Sequence, residues 1–93
     1  MDNLVQRKVS PAQYAARMSS NQYFRQGYDD YVKGRDYNYT IEDKLDAIHY
    51  ARGRAFAIFS VKNRAPRAVW RKGVLAKTAQ ERLVRAAMTG WVL

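Results

Sequence analysis

Residues 22–59 read QYFRQGYDDYVKGRDYNYTIEDKLDAIHYARGRAFAIF, and this stretch decides the fold. From Gln22 onward, Tyr23, Phe24, Gly27, Tyr28, Tyr31 and Val32 recur at the i, i+4, i+8 spacing of one helical face. Gly34 ends that helix, because glycine best tolerates the left-handed backbone of a helix C-cap. Arg35, Asp36, Tyr37, Asn38 and Tyr39 have no period and read as a loop. Thr40 then offers an N-cap, with Glu42 and Asp43 placing negative charge in the first turn, so a second helix is expected from Ile41. Its expected apolar face is Ile41, Leu45, Ile48, Ala51, Ala55, Ile58 and Phe59. Gly53 interrupts it at about 1 kcal/mol relative to alanine, which suggests close approach of another helix. Gly27 and Gly34 lie two turns apart on the first helix and are expected to share a face. The stretch is thus a helical hairpin whose glycines admit neighbouring backbone and whose tyrosines fill the flanks. An ordinary hairpin core accounts for this spacing as well as a binding site does.

Upstream, Ser10, Pro11 and Gln13 form a helix-start signature: a capping hydroxyl, a proline at the first helical position, and a glutamine that closes a capping box. That helix either stops near Ser19 and Ser20 and restarts after Asn21, or runs through with a kink. Downstream, Asn63 to Pro66 breaks the chain, and Pro66 is placed to open a third helix through Ala76. Thr78 and Glu81 suggest a second capping box, with Leu83, Val84, Ala87 and Met88 on a last helix closed by Gly90. No strands are expected. The predicted fold is all-α: one domain over residues 1–93, a small bundle of four to five helices built on the central hairpin, with 60–93 as a basic helical extension.

Composition narrows the chemistry. The 93 residues contain no cysteine and one histidine, which excludes disulfides, thiolate metal sites and a cysteine nucleophile. His49 has no acid or nucleophile at triad spacing and reads as a hydrogen-bonded structural histidine. The acids read as caps or surface residues, Asp29 and Asp30 among them. No phosphate loop or metal-ligand spacing occurs, so neither enzymatic activity nor a cofactor or metal is expected. The longest apolar run, Ala55 to Phe59, is far short of the roughly 20 residues of a membrane span, and the first residues lack a signal-peptide core. A soluble, cytoplasmic protein is expected.

The charge is more telling. The net +9 is unevenly placed: seven basic residues balance seven acids through Ala47, whereas ten basic residues face only Glu81 from Ile48 onward. Those ten are Arg52, Arg54, Lys62, Arg64, Arg67, Arg71, Lys72, Lys77, Arg82 and Arg85. All seven tyrosines lie at or before Tyr50, and both tryptophans lie after it. Arg64, Arg67 and Arg71 recur at i, i+3, i+7 on the expected third helix, with Trp70 beside them. Such a stripe tracks phosphates through guanidinium forks, while an aromatic stacks on an unpaired base. A solvated helix face with Trp70 in the core explains any one of these residues; the ten-to-one ratio favours nucleic acid. An amphipathic helix on anionic lipid is a lesser alternative.

Gly27 and Tyr28, Gly34 and Arg35, Tyr39, and Gly53 at a similar later separation resemble the ribosome modulation factor family, over about residues 22–59. Tyr37 and Asn38 stand where that family has Cys-Pro, Arg54 stands at its final aromatic, and residues 60–93 have no counterpart in it. The resemblance implies a helical hairpin that binds rRNA of the small ribosomal subunit and silences translation during hibernation. The hairpin and loop residues expected to make contacts are Tyr28, Arg35, Tyr37 and Tyr39. The leading expectation is therefore a non-enzymatic, ribosome-associated RNA-binding protein. The alternative is a phage or accessory protein that binds a host protein, or packaged DNA, through its aromatic hairpin and basic tail.

Overall fold

The Ser10 hydroxyl accepts a hydrogen bond from the Gln13 N–H, and Gln13 Oε1 accepts one from the Ser10 N–H, both at 3.2 Å. This is the capping box the sequence predicts, and it opens helix α1 (Pro11–Ser19). The structure, a computed structural model, describes residues 10–92; readings that involve Asp2, Arg7 and Lys8, or the start of the chain, lie outside it. Helix α2 (Gln22–Val32) restarts after a break at Ser20, with Asn21 Oδ1 accepting from the Tyr23 and Phe24 N–H groups. Helix α3 (Lys44–Lys62) is the longest element. A two-stranded antiparallel hairpin, β1 (Trp70–Arg71) and β2 (Val74–Leu75), precedes helix α4 (Lys77–Met88). The fold is a small, mostly α assembly.

Helices α2 and α3 form the expected antiparallel hairpin, and Gly27 and Gly53 bring them together. A Cβ on Gly53 would overlap the Phe24 carbonyl, and one on Gly27 would overlap the Tyr50 carbonyl, so each backbone runs against the other helix. Around this crossing Phe24, Tyr28, Tyr50 and Phe56 are almost fully buried. Tyr28 and Phe56 have ring centroids 5.6 Å apart, and Phe24 and Phe56 are 5.9 Å apart.

The structure corrects several expectations. Helix α3 begins at Lys44, not Ile41, because Asp43 Oδ1 accepts from the Leu45 and Asp46 N–H groups and outcompetes Thr40 as the cap. Its buried face is Tyr50, Gly53, Phe56, Ala57, Phe59 and Ser60; Leu45 is 60% exposed and Ile48 is also exposed. The helix carries apolar residues on several sides, so periodicity does not select a face, and the glycine crossing does. Gly34 lies in open space with φ +73°, a chain-reversing residue and no packing site.

The helix expected over 66–76 does not form. Lys72 (φ 53°) and Gly73 (φ 80°) make the two-residue turn of a β-hairpin, in which both central residues take positive φ. Arg71 pairs with Val74 and Trp70 with Leu75. Arg64, Arg67 and Arg71 therefore do not share a helical stripe. Helix α4 starts at Lys77 without a side-chain cap, so the capping box expected from Thr78 is absent. Among the described residues no helix is long and apolar enough to cross a membrane.

Candidate nucleic-acid interface

The basic residues of the second half separate into those the fold consumes and those it presents. Arg82 is consumed. It is 6% exposed, its Nε donates to Ser60 Oγ at 3.1 Å and its Nη2 to the Pro66 carbonyl at 3.2 Å, and its guanidinium lies 5.4 Å from the Phe56 ring centre. Burial lowers its pKa from the ordinary value, and the fold uses it as an internal clamp, not as a surface contact. Arg54 is half-buried: its Nη1 donates to the Arg35 carbonyl at 3.3 Å and to the Tyr50 hydroxyl at 3.4 Å. Arg52 is half-buried beside Ala55, Trp91 and Val92, and Lys62 places its ammonium over the Trp91 ring.

Trp70 and Tyr28 are likewise internal, which corrects their expected contact roles. The Trp70 indole N–H donates to the Ser19 carbonyl at 2.7 Å, its ring meets Tyr28 edge-on at 5.2 Å, and the Arg25 guanidinium covers it at 5.4 Å. The Tyr28 hydroxyl accepts from the Ala68 N–H at 2.8 Å. The Tyr28 bond ties the irregular connector between α3 and β1 to the helical hairpin, and the Trp70 bond ties β1 to the end of α1. A buried hydroxyl or indole N–H needs such a partner.

The presented set is Arg64, Arg67, Arg71, Lys72, Lys77 and Arg85, all exposed; among the described residues none of the six joins an ion pair. Arg64 follows α3, Arg67 lies in the connector, Arg71 and Lys72 occupy the β-hairpin, and Lys77 and Arg85 stand at the two ends of α4. Two of them hold unusual backbone. Helices α2, α3 and α4 all end in the same motif, with paired bonds from the Arg35 and Gly34, Ala65 and Arg64, and Trp91 and Gly90 N–H groups back to their last turns. The left-handed position is Gly34, Arg64 and Gly90 respectively; only α3 places a side chain there. A non-glycine residue in this conformation costs about 1 kcal/mol. Lys72 takes the same conformation at a turn position that favours asparagine or glycine.

A second constellation surrounds the α2–α3 loop. Asp30, expected at the surface, is 8% exposed: its Oδ1 pairs with Arg35 Nη1 at 3.1 Å and its Oδ2 accepts from the Tyr50 hydroxyl at 2.7 Å. The Tyr50 oxygen accepts in turn from the Asn38 N–H at 3.0 Å. Burial, with the Asp30 hydrogen bond, raises the Tyr50 pKa. Tyr37 meets Tyr50 edge-on at 5.1 Å and Tyr39 at 4.7 Å, and the Arg54 guanidinium lies between Tyr37 and Tyr31, at 5.2 and 5.5 Å from their ring centres. Tyr37 and Tyr39 thus pack together in the loop, while Arg35 pairs with Asp30 at its start. Asp30 and Arg25 are the residues sequence reasoning missed, together with the bond from Tyr50 to Asp30. Asp30 and Tyr50 are twenty positions apart, and no local spacing connects them. His49 Nδ1 is buried without a hydrogen-bond partner among the described residues, unlike the bonded histidine expected.

No family model, curated protein or solved structure matches this chain.

Proposed function

We propose that this chain is a non-enzymatic RNA-binding protein that associates with rRNA of the small ribosomal subunit and modulates translation. The observation that carries the reading is the set of six exposed cations from Arg64 to Arg85 that lack carboxylate partners among the described residues. Two of the six, Arg64 and Lys72, occupy left-handed positions where glycine would be more stable, which favours a role for the side chain beyond the fold. The choice of rRNA rests on the resemblance of residues 22–59 to ribosome modulation factor. Phosphate contacts release counterions, so affinity for an rRNA fragment is expected to fall by roughly 10³–10⁵ between 50 and 200 mM salt. In a lysate gradient the protein is expected to sediment with small subunits or ribosome dimers. A flat salt dependence would overturn the reading.

One observation favours the protein-directed alternative. An apolar groove of about 300 Å³ separates α1 from α4, lined by Tyr14, Met18, Val84 and Met88 among others, and Met88 is 79% exposed. Flexible methionines suit protein-binding surfaces. Co-purification with a protein and no RNA would select this alternative, a phage or accessory factor directed at a host protein.

A further inference from the structure

We propose that the α2–α3 loop is a stacking platform for an unpaired nucleobase of single-stranded RNA, with Tyr39 as the stacking ring and Arg35 as the contact to the adjacent phosphate. The inference rests on the RNA-binding reading and deepens it, by naming a strand state and a second site outside the basic segment 64–85.

Four features of the loop support the assignment. First, Tyr39 is 85% exposed yet is not an isolated ring: it lies tilted against Tyr37 at 4.7 Å, and Tyr37 abuts the buried Tyr50 edge-on. A base laid on Tyr39 would therefore meet a ring braced through Tyr37 against the core. Second, the backbone on both sides of Tyr39 is fixed. The Asn38 N–H is held by the Tyr50 hydroxyl, and Asn38 Oδ1 accepts from both the N–H and the hydroxyl of Thr40, at 2.9 and 2.6 Å. A ring held between two pinned residues loses little conformational freedom on binding. Third, charge gives the platform a direction. Arg54 covers Tyr37 and its Nη1 donates to the Arg35 carbonyl, and the Arg35 side chain is 57% exposed with one nitrogen on Asp30, which leaves further donors facing solvent. Glu42, Asp43 and Asp46 line a depression with Asn38 and Thr40, so a phosphate backbone is repelled there and drawn toward Arg35. Fourth, the aromatics lie among polar or charged loop residues, Arg35, Asp36, Asn38 and Thr40, which suit a hydrated, charged ligand.

A duplex buries its bases in stacked pairs and offers Tyr39 no open π-face, whereas a single strand does. The test is fluorescence anisotropy of the full chain with a labelled 12-nucleotide uridine-adenosine RNA, the same RNA as a duplex, and a single strand carrying abasic sites. Tyr39→Ala is expected to weaken single-strand binding by about tenfold, the weight of one stacked base, and to leave duplex binding unchanged. Tyr39→Phe is expected to bind as the parent does, and the abasic strand is expected to bind the parent as weakly as the intact strand binds Tyr39→Ala. Because the ring is so exposed, thermal melting of Tyr39→Ala should match the parent, which separates lost binding from lost folding. Equal single-strand binding by Tyr39→Ala and parent overturns the platform while leaving RNA binding through residues 64–85 intact. Failure of the parent to bind any of the RNAs overturns both readings. Capture of a protein that is lost in Tyr39→Ala, with RNA affinity unchanged, assigns the loop to a protein partner and likewise overturns the platform.

Discussion

In the α2–α3 hairpin backbone meets backbone, with Gly27 and Gly53 removing the side chains that would keep the helices apart. Between Asn63 and Ala76 the chain has little regular structure and is held by the buried Leu75 and by single polar contacts: Tyr28 to Ala68, Trp70 to Ser19, and Arg82 to Pro66. The first region gains its stability from close packing over a long interface. The second gains it from one core leucine and a few bonds to residues elsewhere in the chain, and so can carry exposed cations and left-handed backbone that a helix would not accept. Rigidity thus comes from the α2–α3 hairpin and charge is displayed on the segment that follows it, with Tyr28, Ser19 and Arg82 as the joints.

The largest expected effect breaks the first region. Gly53→Ala drives a methyl into the Phe24 carbonyl, so a loss of about 3 kcal/mol is expected, measured by urea denaturation. A loss under about 1 kcal/mol would mean the helices separate freely and the crossing does not fix the hairpin. Next is the joint: Arg82→Ala removes two charge-assisted hydrogen bonds and is expected to cost about 2–3 kcal/mol. The salt dependence of RNA binding should not change, whereas Arg67→Ala should leave stability alone and lower the salt slope by about 1. If Arg82→Ala changes the slope and spares the fold, its place among the internal residues is wrong.

Tyr50→Phe tests the loop end of the hairpin. It leaves Asp30 Oδ2 without its donor and the Asn38 N–H without its acceptor, at about 2 kcal/mol. Because the folded pKa of Tyr50 is raised, its neutral phenol stabilises the fold fully below the ordinary value of 10.0. That contribution disappears as pH climbs from there through the raised value. The parent is therefore expected to lose stability in this window and Tyr50→Phe to lose less, as read by denaturation at pH 8 and above 10. Equal losses would show that other tyrosines carry the effect. The smallest effect sharpens the comparison most. Arg64→Gly is expected to stabilise the fold by about 1 kcal/mol, relieving the left-handed backbone, and to weaken RNA binding. A variant that is no more stable, or that binds RNA unchanged, would remove the argument that the charge is displayed at the expense of the fold.

The hairpin was legible because its signals are local. The capping box at Ser10, the face of α2 and the stop at Gly34 all act within one or two turns, and Gly53 is where a mid-helix glycine was expected to admit a neighbour. The third helix failed for a local reason as well. The pair Lys72 and Gly73, flanked by Trp70 and Arg71 on one side and Val74 and Leu75 on the other, is a hairpin signal that the arginine spacing masked. Of the expected interface, Tyr37 and Tyr39 come together in the loop, while Trp70, Tyr28 and Arg82 turn inward.

By itself the sequence determined the helical hairpin, the capping box at Ser10, and the asymmetry that puts the whole net charge after Ala47. Tertiary structure alone decided which face of α3 is buried, which arginine becomes a clamp, and that Asp30 and Tyr50 fix the loop. The physical reason is range. Caps, turns and helical periods are set by groups a few residues apart, whereas burial of a charge depends on distant partners. Arg82 can be internal only because Ser60, Pro66 and Phe56 meet it there.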